Sequence, residues 1–228
     1  MQEVTEAILA PARTSGNLTD ALVKHARTTP DRILMVRREG SDWIDTSAAE
    51  LHEIVKGIAK GFHASGIRPG DRIALMSRTR HEWTLIDYAI WYAGCITVPI
   101  YETSSVAQIE WILRDSGAVA IVVEKPHHLE AFKQTTEHVV AHSWVIDNNG
   151  IANITATGAG VDDAAIEQRR SAVNLDDLAT LVYTSGTTGK PKGCELTHGN
   201  LTFIADQARA AVPEVFDDPQ TSTLLFLP

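Results

Sequence analysis

From residue 72 onward the chain alternates short apolar runs with amphipathic stretches, and this alternation restricts the fold more than any other feature of its 228 residues. The runs at 72–77, 96–100, 118–123, 144–146 and 180–183 have the length and branched-residue content of buried strands. Between the first four lie helical patterns at 81–93, 106–116 and 127–140. Strand, helix, strand with short connections favours parallel crossovers, since neighbouring antiparallel strands need no intervening helix. The expected class is α/β, a mostly parallel sheet layered with helices on both faces.

The first part of the chain reads differently. Residues 1–17 show little periodicity and include Pro11, Ser15 and Gly16, so an irregular N-terminal arm is expected ahead of a domain over 18–228. Thr19 or Asp20 offers an N-cap for a short helix ending before Pro30. Runs at 33–37 and 43–45 flank Gly40-Ser41 as a small hairpin. Ser47 and Glu50 then have the spacing of a capping box, Leu51, Ile54, Val55, Ile58 and Phe62 follow at helical intervals, and Gly66 supplies a stop. Segment 147–160, rich in Asn, Gly, Ala and Thr, reads as a surface loop. Its glycines at 158 and 160 lack the third glycine of a dinucleotide fingerprint.

Composition narrows the function. A formal net charge of -9 argues against nucleic acid, which requires a concentrated basic surface. The two cysteines, Cys95 and Cys194, are far apart and read as reduced thiols of a cytoplasmic protein. Uncharged residues run from Tyr88 to Tyr101, but Gly94 and Pro99 interrupt them. The run is also shorter than the roughly 20 residues of a membrane span. The N-terminus lacks the basic start and long apolar core of a secretory leader. His127, His128, His138 and His142 have no partner spacing for a metal and read as solvated. Trp83, Trp91 and Trp111 fall on helical patterns and read as packing residues. Asp162-Asp163 and Asp176-Asp177 read as helix-entry or solvated charges.

One run carries chemistry. In Leu181-Val182-Tyr183-Thr184-Ser185-Gly186-Thr187-Thr188-Gly189-Lys190-Pro191-Lys192-Gly193, apolar residues lead into four small hydroxyl side chains, three glycines and two lysines. Glycine permits close backbone approach, Ser and Thr donate hydroxyl hydrogen bonds, and lysine adds compact positive charge, so this composition suits a phosphate cradle. The spacing is not that of a Walker A loop, which would need glycine where Pro191 stands. Thr197-His198-Gly199-Asn200 is positioned to cap a following helix, which would add oriented donors at its positive end.

YTSGTTGKPKG followed by THGNL resembles the core signature of the adenylate-forming superfamily, which includes acyl-CoA synthetases, adenylation domains and luciferases. GDRIALMSRTRHEW, GCITVPIYETSS and QIEWILRDSGA are similar to successive segments of bacterial long-chain fatty acid–CoA ligases. The resemblance covers nearly all of the chain after residue 18. It implies the N-terminal portion of the large domain of an adenylate-forming enzyme, stopping before the adenine-binding segment and the C-terminal domain. It further implies ATP, Mg²⁺ and CoA, with a fatty acid activated to acyl-adenylate and passed to the CoA thiol. Thr184, Ser185, Gly186, Thr187, Thr188 and Gly189 would contact the ATP phosphates, Lys192 would reinforce the loop or that contact, and Thr184 would help hold Mg²⁺. Lys190 and His198 are left open. Catalytic residues are expected downstream of Pro228, so the chain alone is expected to be inactive. A fatty acyl-AMP ligase, another acyl-CoA synthetase and a non-catalytic nucleotide-binding module are the alternatives. Peripheral membrane contact and a homodimer also stay open.

Overall fold

The computed structural model describes residues 7–184, 190–218 and 221–224. Its helices and strands follow in the order α1 Asp20–Thr28, β1 Ile33–Glu39, β2 Asp42–Ser47, α2 Ala48–Ala64, β3 Arg72–Met76, α3 His81–Tyr92, β4 Ile96–Ile100, α4 Val106–Ser116 and β5 Ala120–Val123. These are followed by α5 Pro126–Lys133, β6 His142–Val145, α6 Gly150–Thr157, α7 Asp163–Ala172, β7 Leu178–Thr184, β8 Lys192–Thr197, α8 His198–Ala211 and α9 Pro213–Phe216. Strands β1 and β2 form an antiparallel hairpin. The other six form one sheet in the order β6-β5-β3-β4-β7-β8. All neighbours in it are parallel except β7 and β8.

Alternation along the strands divides the core in two. Ile73 and Leu75 of β3 and Val122 of β5 point to one face, where they meet Ile58 and Phe62 of α2, Ile86 and Ile90 of α3, Ile154 of α6 and Ile166 of α7. Ala74, Met76, Ile121 and Val123 point to the other, against Ile109, Ile112 and Leu113 of α4, with Leu129 and Phe132 of α5 alongside. The strands are therefore apolar on both sides, as parallel strands between helical layers must be.

Local signals account for most boundaries. Ser47 and Glu50 form the expected capping box on α2, and Gly66 follows that helix with φ of 84°. Ser105 and Gln108 form another on α4, which ends at the left-handed Gly117. Thr19 occupies the N-cap position of α1 but its side chain caps nothing. Its hydroxyl donates instead to Asn17 Oδ1, which also accepts the Thr19 amide, while Asp20 accepts the Asn17 amide. Asp162 accepts the Ala164 amide as N-cap of α7, a helix-entry charge as expected.

Several expectations need correction. The helix expected over 127–140 ends at Lys133. Glu110 of α4 accepts the amides of Thr136 and Glu137, so those donors are taken by a tertiary partner. The expected loop over 147–160 holds a 3-10 turn, Ile146–Asn148, and then α6. Tertiary packing overrides weak helix propensity there: a Cβ on Gly61 of α2 would run into the Ile154 backbone, and one on Gly158 into the Gly61 amide, so the two helices touch at backbone distance. The strand expected over 144–146 is β6, which starts two residues earlier and ends one residue earlier because Ile146 already turns away. His128 is buried rather than solvated, its ring edge-on to His127.

The described arm has no regular structure but is held down. Gln207 of α8 accepts the amides of Leu9 and Ala10 and donates to the Ala10 carbonyl, and Arg13 grips Asp206 with two bonds of 2.6 and 2.7 Å. Cys95 is buried and Cys194 exposed, both as free thiols.

Candidate functional site

Strand β7 carries the signature run to the carboxyl end of the parallel sheet, where open α/β folds bind ligands. Ser185, Gly186, Thr187, Thr188 and Gly189 lie outside the described residues. The two legs of the loop are described. Lys192, expected in the loop, is the first residue of β8, and it pairs directly with Thr184 across the antiparallel ladder. Side chains of a directly opposed pair share a face, so the Thr184 hydroxyl and the Lys192 ammonium flank the mouth of the hairpin together, both exposed. A hydroxyl beside an ammonium fits an anion. Neither group is a carboxylate, so Thr184 could supply only one hard oxygen to a Mg²⁺ whose other ligands came from phosphate and water. Among the described residues no cluster of three His, Cys, Asp or Glu could hold a metal by itself.

The hairpin is anchored on both faces. On the α4 side, Tyr183 donates to Asp115 Oδ2 at 2.7 Å, and burial together with that carboxylate holds the phenol well above its ordinary pKa. The Trp111 indole donates to the Pro191 carbonyl at 2.8 Å, and the Lys190 ammonium lies 4.3 Å from the centre of the same ring. Trp111 therefore does more than pack, and no sequence pattern links it to a residue 80 positions away. On the α3 side, the Thr180 hydroxyl donates to the Thr97 carbonyl at 3.0 Å, and the Thr97 hydroxyl donates to Asp87 at 2.6 Å. Burial pushes the Asp87 carboxyl up to about 7 against the opposing effect of that hydrogen bond. The β4–β7 ladder registers only Thr97 with Thr180, so these side chains reinforce a thin junction directly below the loop.

The helix after the loop is capped as expected but stands elsewhere. Thr197 accepts the Asn200 amide at 3.1 Å and the Asn200 side chain accepts the Thr197 amide at 3.0 Å. Thr197, however, pairs with Leu178 at the start of β7, six residues from Thr184. At roughly 3.3 Å per residue that is about 20 Å, so the positive end of α8 stands well away from the loop. His198 is decided by the same geometry. It is 1% exposed, its Nδ1 accepts the Leu18 amide at 3.3 Å, and its ring meets Trp91 edge-on. Burial lowers its pKa to about 4. It pins Leu18, just after the arm, to the helix start.

A sequence model of the AMP-binding enzymes matches residues 22–228. Long-chain-fatty-acid–CoA ligase FadD15 of Mycobacterium bovis is 38% identical over 217 residues, 93% of this chain and 36% of that protein. Feruloyl-CoA synthase of Amycolatopsis is 35% identical over 182 residues, 79% of this chain and 33% of that one. The crystal structure of the long-chain-fatty-acid-CoA ligase FadD1 from Archaeoglobus fulgidus superposes with a TM-score of 0.75 at 25% identity, covering 90% of this chain and 41% of the other. The chain spans about a third of the length of the curated relatives it matches.

Proposed function

Because this chain belongs to the AMP-binding enzyme family, we propose that it supplies the phosphate-gripping part of an ATP-dependent long-chain fatty acid–CoA ligase. The observation that carries the proposal is the pairing of Thr184 with Lys192 at the ends of a signature loop, in a chain 38% identical to FadD15. In the first step a fatty carboxylate oxygen attacks the α-phosphorus of ATP and the bond to pyrophosphate breaks. In the second the CoA thiol attacks the acyl carbon, AMP leaves, and a thioester forms.

The difficulty in the first step is electrostatic, since an anion approaches a polyanion. Thr184 and the loop through Gly189 hold the phosphate tail by hydroxyl and backbone donors, and Lys192 offsets its charge. Mg²⁺, when bound beside Thr184, would neutralise further phosphate charge. The adenine-binding segment and the C-terminal domain would lie beyond Pro228, leaving this chain without turnover by itself. Among the described residues no helix is long and apolar enough to cross a membrane.

The 35% identity to feruloyl-CoA synthase favours one second reading, an acyl-CoA synthetase for an aryl acid. Pyrophosphate exchange tests both. The full-length protein should exchange labelled pyrophosphate into ATP with a long-chain fatty acid and not with ferulate, and the chain of 228 residues should do neither. Exchange driven by ferulate alone would replace the first assignment with the second.

A further inference from the structure

Resting on the phosphate-loop assignment above, we propose that Trp111 is a positioning residue for nucleotide: its indole fixes the exit leg of the loop and its ring holds the Lys190 ammonium until a triphosphate draws it away.

Three observations meet at this residue. The described β7–β8 ladder ends at the Thr184–Lys192 pair, and one residue beyond it the carbonyl of Pro191 is held by the Trp111 N–H at 2.8 Å. Proline contributes no amide of its own, which makes this carbonyl the only backbone handle at that position. The hydrogen bond extends the grip on the loop one residue past the sheet. Trp111 itself is half-buried and packs against the apolar cluster on this face of the sheet.

Lys190, one residue further into the loop, is exposed, and its ammonium stands 4.3 Å from the ring centroid, within cation–π range. The Arg114 guanidinium lies 5.2 Å from the same ring, so two cations share one π system, and an open cleft of about 360 Å³ borders them. An ammonium held on the open side of a half-buried ring is held weakly, and a polyanionic triphosphate attracts it far more strongly. Lys190 is thereby kept folded back near the loop mouth and released in one direction, toward phosphate.

The test uses the full-length protein. Trp111→Phe removes the indole N–H while keeping an aromatic face, and should raise the KM for ATP about five-fold, the worth of one ordinary hydrogen bond. The KM values for fatty acid and for CoA should not move. Trp111→Leu also removes the platform, a contact that nucleotide binding gives up, and should raise the KM for ATP no more than Trp111→Phe does. Equal rises in all three KM values, or none, overturn the proposal. Should Trp111→Phe fail to fold, Lys190→Met on the exposed loop decides instead. It should raise the KM for ATP and shift wild-type indole emission, and no change in either sinks the idea. Calorimetric titration of wild type with MgATP separates the two levels. No binding overturns the phosphate-loop assignment together with this one, whereas equal binding by wild type and Trp111→Phe overturns this one alone.

Discussion

Tyr183 lies across its cross-strand partner Gly193 and reaches Asp115 of α4 with its hydroxyl at 2.7 Å. A Cβ on Gly193 would stand 3.1 Å from the Tyr183 ring, closer than side chains tolerate without movement. Gly193→Val should therefore displace the ring and cost about 1–3 kcal/mol in urea unfolding. Tyr183→Phe should lose about 1 kcal/mol through the hydroxyl alone. Wild-type stability in both would mean that the aromatic cover does not hold the hairpin.

The proposed nucleotide contacts predict a loss of activity without a loss of fold. In the full-length protein Lys192→Ala should slow pyrophosphate exchange on the order of a hundred-fold, and Thr184→Ala less, about ten-fold. Both residues are exposed in the described structure, so unfolding midpoints should stay near wild type. Unaltered exchange would remove them from the site.

Gly61 and Gly57 make a paired test on α2. Gly61→Ala drives a methyl into the Ile154 backbone, which cannot rotate away, and should cost about 3 kcal/mol or more. At Gly57 the nearest atom is the Thr155 Cγ2 at 3.1 Å, a side chain that can yield. Gly57→Ala should be near neutral or stabilising, by roughly the half to one kcal/mol by which alanine exceeds glycine in a helix. Thermal unfolding of the two variants decides; similar midpoints would deny the backbone contact between α2 and α6.

His198 predicts a pH dependence with a definite sign. Its folded pKa of about 4 lies below the ordinary 6.5, so between these values the unfolded chain binds more protons and stability rises with pH. Roughly 3 kcal/mol present above pH 6.5 should be lost by about pH 4. The difference between wild type and His198→Gln in urea unfolding should change across that window and be flat above it.

Asp87 acts with the opposite sign. Burial raises its folded pKa to about 7 from an ordinary 3.8, so the folded state binds the extra proton between them and stability falls as pH rises. Asp87→Asn keeps an oxygen to accept from Thr97 and removes the titration. It should exceed wild type in stability at pH 8 and match it near pH 4. A variant less stable at both ends would contradict a carboxyl held in an apolar setting.

The crossover architecture was legible because it is written in local pattern. Strand β4 and helix α4 fall on the expected residues, one through a continuous apolar run and the other through a capping box and a closing glycine. What escaped depends on distant partners. Helix α6 is made of weak helix formers and exists because two glycines admit it against α2. Strand β8 lacks an apolar alternation, since all six of its residues from Lys192 to Thr197 are exposed or half-exposed at the sheet edge, and only its pairing with β7 defines it. The same division holds at the site. Thr184 and Lys192 are marked by composition, whereas Trp111, Asp115 and the Asp87–Thr97–Thr180 chain become visible only when helices α3 and α4 are laid against the sheet.

The clasp between the arm and α8 has a consequence for synthesis. The amide of Leu9 leaves the ribosome 198 residues before the Gln207 side chain that receives it. By then every strand and helix of the layered core has been made, so this arm is among the last segments to settle. Until then a nascent chain carries the arm without its bonds to Asp206 and Gln207.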